Sequence, residues 1–117
     1  MPASNTFAQA TRRVTLLLGT ALLSFAALAA DPEVTIVIRD HMFEPAEVRV
    51  PANKKVKLVI DNQDASAEEF ESKELKREKV IAGKSKGMIL VGPLKPGRYP
   101  FVGEFHQKTA KGVLIAE

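Results

Sequence analysis

The chain is predicted to fold as an all-β protein, a Greek-key β-sandwich of about seven to eight strands. Apolar residues recur with a two-residue period in short runs, and Pro, Gly and Asn punctuate those runs. Few stretches keep a helical period for long. Val34, Ile36 and Ile38 alternate with Thr35, Val37 and Arg39, the pattern of a half-buried strand. Glu47-Val48-Arg49-Val50 follows and is closed by the turn signal Pro51-Ala52-Asn53. Val56, Leu58 and Ile60 share one face of the next run, with Lys55, Lys57 and Val59 on the other. Residues 88–91, 99–102 and 112–116 supply three more strands, separated by Gly92-Pro93 and Pro96-Gly97, with Met88 read as a core residue. The charged stretch from Glu68 to Lys79 reads as a helical turn or irregular loop.

The first 29 residues are read as a leader rather than as fold. Arg12 and Arg13 precede an apolar run that ends in Ala27-Leu28-Ala29, the arrangement of a secretory signal peptide. The run is short for a membrane span, which takes about 20 apolar residues. A signal peptide over 1–29 leaves residues 30–117 as one domain, soluble after cleavage and periplasmic. The export route stays open: two arginines hint at twin-arginine export, but Thr15 is a poor fit to that signal. Of 17 basic residues in the chain, the leader takes Arg12 and Arg13, so 15 stand against 14 acidic ones, a net +1. That balance gives no reason to expect nucleic acid as a partner. The chain has no Cys, so packing rather than disulfides must stabilise an exported domain.

The C-terminal run Leu94-Lys95-Pro96-Gly97-Arg98-Tyr99-Pro100-Phe101-Val102-Gly103-Glu104-Phe105-His106, followed by Lys111-Gly112-Val113-Leu114-Ile115, resembles the last two strands of a cupredoxin. In that family the pattern Pro-Gly-x-Tyr-x-Phe-x-Cys-x-x-His brings a thiolate and an imidazole to one copper. Here Gly103 stands at the Cys position, and Ala110 and Lys111 stand where the family carries its axial Met. Phe43-Glu44-Pro45-Ala46-Glu47-Val48-Arg49-Val50-Pro51-Ala52-Asn53 is similar to an early segment of small bacterial cupredoxins, with Asn53 for the turn glycine. The Cys-less form with a Glu-rich loop resembles the cupredoxin domain of EfeO-type and iron-permease-associated periplasmic proteins. That resemblance implies a metal-binding protein that holds iron, or copper, ahead of a membrane iron permease. It also implies that blue-copper electron transfer is absent, with at most an accessory ferroxidase-type role.

His106 matches the family's downstream imidazole ligand; the plain alternative is a histidine on a polar surface loop. The upstream ligand falls in a run of acids. The resemblance puts Glu68 at the position, and a slip of one residue puts Glu69 there. In an extended segment Glu69 and Glu71 share a face while Phe70 points inward. Solvated surface acids remain the alternative for each. Glu104, beside Gly103, offers another oxygen, and His41 and Met42 form a second pair between the first two strands. Carboxylates with imidazole suit iron, Cu(II), Zn or Mn better than Cu(I). A copper carrier using His41, Met42 and His106, and a metal-free adaptor of a transport complex, are the competing readings. The surrounding lysines read as a mixed surface, and no hydrolase signature is present.

Overall fold

The computed structural model describes residues 30–117; the segment read as a signal peptide lies outside them. Nine strands form two sheets: β1 (Glu33–Arg39), β2 (Met42–Glu44), β3 (Glu47–Val50), β4 (Val56–Asn62), β5 (Glu68–Ser72), β6 (Arg77–Ile81), β7 (Ser85–Val91), β8 (Gly97–Gly103) and β9 (Lys111–Ala116). One sheet runs β2-β1-β4-β7 and the other β3-β9-β8-β5-β6. Strands distant in sequence lie side by side: β1 pairs in parallel with β4, and β3 with β9. The all-β sandwich is therefore as the two-residue periodicity requires, with one or two strands more than the sequence reading counted.

The core lies between the sheets. Ile36 and Ile38 of β1 and Leu58 and Ile60 of β4 are fully buried, and each alternates with a side chain on the outer face. Across the gap sits an aromatic cluster. The ring of Phe101 lies 4.9 Å from that of Phe43, edge on, and 5.0 Å from that of Phe70, stacked. Such geometries add stabilisation beyond the area buried. Phe70 and Phe101 come from β5, which Glu68 opens, and β8, which leads into the turn that ends at His106.

Two sequence expectations are corrected. The charged stretch is a turn only over residues 73–76; the rest forms β5 and β6, paired antiparallel from Glu68↔Ile81 to Ser72↔Arg77. In β5 the inward residues are Glu68, Phe70 and Ser72, so a two-residue period was present beneath the charge. Met88 is not core; it is 49% exposed, because Ile89 and Val91 take the inward positions of β7. The lysine and arginine of β6 have a structural task. Arg77 Nε donates to Leu90 O at 2.9 Å and Lys79 Nζ to Met88 O at 3.2 Å, capping the free edge of β7. Charged caps of this kind blunt an edge strand against pairing with other chains.

Candidate metal centre

Three segments meet at one end of the sandwich. Asp40 and His41 form the turn between β1 and β2, Glu68 opens β5, and His106 closes a short 3₁₀ turn, Glu104–His106, that follows β8. Their donor groups converge: one ligating atom from each of His41, Glu68 and His106 lies within 4.8 Å of the others. The imidazoles of His41 and His106 stack with centroids 3.6 Å apart and planes 11° from parallel. His106 Nδ1 is 2.6 Å from Glu68 Oε2.

Glu68 is the buried member, at 1% exposure. A carboxylate there must have its oxygens satisfied. Oε1 accepts from the backbone amides of Glu69 and Phe105, both at 2.9 Å, and Oε2 faces His106. Among the described residues, no buried side-chain polar atom lacks a partner. One oxygen is thus anchored to the backbone and the other lies against the His106 imidazole.

His41 is held by contacts that the sequence did not reveal. Asp40 and His41 both have positive φ, 53° and 58°, in the left-handed region that a two-residue hairpin turn demands. Neither is a glycine, and outside support holds the turn. Asp64 Oδ1 accepts the Asp40 amide at 2.8 Å, and Oδ2 accepts the His41 amide at 3.0 Å. Thr109 Oγ1 donates to His41 O at 2.6 Å, tying the turn to the loop that carries His106. The signal available was Asp64 in a loop after Asn62, since such acids cap nearby amides; its target, 24 residues away, was not legible. Asn62 fixes that loop from inside, with Nδ2 donating to Ser66 O at 2.9 Å and Oδ1 accepting the Asp64 amide at 3.1 Å.

The Asp64 carboxyl is held below its usual range, first by the His41 amide and also by the Asp40 amide and nearby positive groups, with burial opposing. A lowered acid contributes stability above its ordinary value of about 3.9 and loses it as pH falls through the lower folded value. We therefore expect the His41 turn to loosen in that acid window, seen as faster amide exchange at Asp40 and His41. Asp64→Asn should loosen it at neutral pH and weaken cation binding by about 10- to 100-fold, the range for partners that orient ligands. Titration of the variant showing unchanged affinity would remove Asp64 from the site.

The other predicted acids are not in this cluster. Glu69 and Glu71 lie on the opposite face of β5 from Glu68, so of the three acids Glu68 is the one turned inward, beside His106. Glu104 is exposed and faces Glu71, whose carboxyl is pushed up by a hydrogen bond to Glu104, then by burial and the second negative charge. A raised acid favours the fold below its ordinary value and loses that contribution as pH rises through the folded one. Glu71→Gln should accordingly raise stability at pH 7 relative to wild type, with the gain vanishing in acid. A thermal melt series against pH measures this, and a pH-independent difference would contradict it. Met42 opens β2 at 45% exposure. Lys111 points to solvent and Ala110 is fully buried, so neither supplies an axial ligand.

A blue-copper centre does not fit these residues, because such a site needs a thiolate. Gly103 offers none and the chain contains no Cys. Two imidazoles and one carboxylate fit a hard or borderline divalent cation instead, and that donor set is the one used by non-haem Fe(II) sites.

Two packed sheets, with a histidine in the loop between the last two strands and further donor groups at the same end, define a sandwich of the cupredoxin class with a candidate metal centre. The chain belongs to the cupredoxin-like domain family, whose model matches residues 13–116. It is 48% identical over 83 residues to the uncharacterised protein RP394 of Rickettsia prowazekii (strain Madrid E), covering 71% of this chain and 66% of that protein. Among solved structures it is similar to the metal-binding domain of the Cu(I)-exporting P-type ATPase CopA of Streptococcus pneumoniae, with Cu(I). There the TM-score is 0.65 at 17% identity, over 73% of this chain and 84% of that one. Auracyanin A, a blue copper protein from Chloroflexus aurantiacus, superposes with a TM-score of 0.64 at 12% identity, over 75% of this chain and all (100%) of that one. At these identities the structural likeness speaks for the fold.

Proposed function

We propose that this protein is a periplasmic carrier that binds one divalent cation, iron(II) first, between His41, Glu68 and His106. It would hold that ion for delivery to a membrane iron permease, or for oxidation ahead of it. The observation that carries the reading is the convergence of two imidazoles on a buried carboxylate whose second oxygen is backbone-anchored. Borderline nitrogen and hard oxygen donors favour Fe(II), Zn or Cu(II) over Cu(I). The iron-permease context is supported by the resemblance of the Gly-Glu-Phe-His loop to iron-permease-associated cupredoxin domains. The leader-like N-terminus supports export.

A copper carrier is the second reading, favoured by the pair of imidazoles, which bind Cu(II) well. Titration of the purified protein with Fe(II), Fe(III), Cu(II) and Zn(II), beside His106→Ala, separates these. One equivalent of Fe(II) bound and lost in the variant supports the carrier of iron, and a preference for copper across the series supports the second reading. Binding no stronger than that of an unrelated acidic protein leaves a metal-free adaptor as the account.

A further inference from the structure

We propose that Gly103 sets the metal preference of this centre by leaving open the volume into which Glu68 reaches. The inference rests on the metal-site reading above and concerns what decides its chemistry. Gly103 has φ −90° and ψ 105°, ordinary extended backbone that any residue adopts. Conformation therefore does not require a glycine there; space does. A Cβ at this position would lie 2.6 Å from Glu68 Cδ, 2.9 Å from Glu68 Oε1 and 2.6 Å from Ala110 Cβ.

Neither neighbour can step aside cheaply. Ala110 is fully buried, and its backbone is bonded on both sides, donating to His106 O at 2.8 Å and accepting from Gly103 N at 2.9 Å. The Glu68 carboxylate is buried and held by the Glu69 and Phe105 amides and by His106. Swinging it away would leave two part-buried amides without their acceptor and strip a buried carboxylate of its partners, which is costly. A side chain at 103 and the carboxylate in its present place exclude one another. The end of β8 therefore contributes no ligand, and β5 supplies an oxygen in the space left by the missing side chain. That exchange gives an N,N,O donor set, which favours Zn(II) and Fe(II) over Cu(I). Restoring a side chain at 103 should cost the oxygen ligand and not only add bulk.

The test uses the full chain and three variants: Gly103→Ala, Gly103→Ala with Ala110→Gly, and Gly97→Ala as control. A Cβ at Gly97 meets nothing nearer than 3.8 Å. The Ala110→Gly change removes one of the two clashes and isolates the one with Glu68. Zn(II) and Cu(I) affinities are measured by competition, and the amide resonances of Glu69 and Phe105 report where Oε1 sits without any metal. In the folded double variant we expect both amides to shift and Zn(II) affinity to fall by roughly 100-fold, comparable to losing a ligand's orientation. Cu(I) affinity should change far less, and the control should match wild type. Wild-type amides and wild-type Zn(II) affinity in the double variant overturn the role of Gly103 and leave the metal site standing. Absence of Zn(II) and Fe(II) binding in the wild type overturns the site reading and the preference with it. If Gly103→Ala is too unstable to titrate, its stability cost is compared with and without Glu68→Ala. A much smaller cost on the Glu68→Ala background supports the exclusion, and an equal cost refutes it.

Discussion

Glu68→Gln is expected to abolish tight cation binding while leaving the sandwich folded. The amide keeps one oxygen, which can still accept from the Glu69 and Phe105 amides that now hold Oε1. What it loses is the negative charge beside the His106 imidazole. Neutral nitrogens alone then face the cation, and affinity should fall by more than about 100-fold, beyond the loss caused by disturbing a ligand's supporting partner. Stability should fall less than in an alanine variant, because the retained oxygen keeps both backbone bonds. Glu68→Ala is the contrasting case. It leaves two part-buried amides without their acceptor, at a cost of up to about 1–3 kcal/mol each, and opens a cavity besides. Chemical denaturation and a Zn(II) or Fe(II) titration on both variants separate the two effects. Retention of wild-type affinity by the Gln variant would sink Glu68 as a ligand.

Phe70→Ala should be the most damaging single truncation of the core near the site, at about 3–5 kcal/mol. Phe70 is fully buried and packs against Phe101 at 5.0 Å and Phe43 at 6.2 Å. Stabilities of small domains are about 5–15 kcal/mol, so this is a large share. No disulfide offsets it, since the chain has no Cys. Phe70 also lies two residues from Glu68 on the same face of β5, so the variant should lose cation affinity along with stability. Urea unfolding would show a lower midpoint with an unchanged slope if the packing account holds. A loss below about 1 kcal/mol, the size of an ordinary substitution, would mean the aromatic cluster repacks around the gap.

The two variants fail in different ways, and that difference bears on how the centre is built. The ligands sit on turns and a strand end, while their spacing comes from the packing beneath. His41 depends on Asp64 and Thr109, Glu68 on the amides of Glu69 and Phe105, and His106 on the tight loop closed by Gly103 and Ala110. A cation would meet donors already held in place, so little ordering entropy opposes binding.

Local chemistry made much of this readable from the chain. Alternation in β1 and β4 announced strands with one buried face, since successive side chains must point to opposite sides. Pro, Gly and Asn marked the turns, and the absence of Cys by itself excluded a thiolate site. His106 could be singled out because it lies in a local motif. The choice among Glu68, Glu69 and Glu71 could not be made there. It depends on which face of β5 packs inward, and that is decided by Phe70 meeting Phe43 and Phe101 from other strands. The partnership of His41 with a strand end 27 residues away, the clamp from Asp64 and the clash that keeps Gly103 bare are likewise long-range. Sequence determined the strands and the types of donor available because periodicity and functional groups belong to each residue. Tertiary structure alone decided which donors meet, because distance between side chains is a property of the packed sheets and not of the chain.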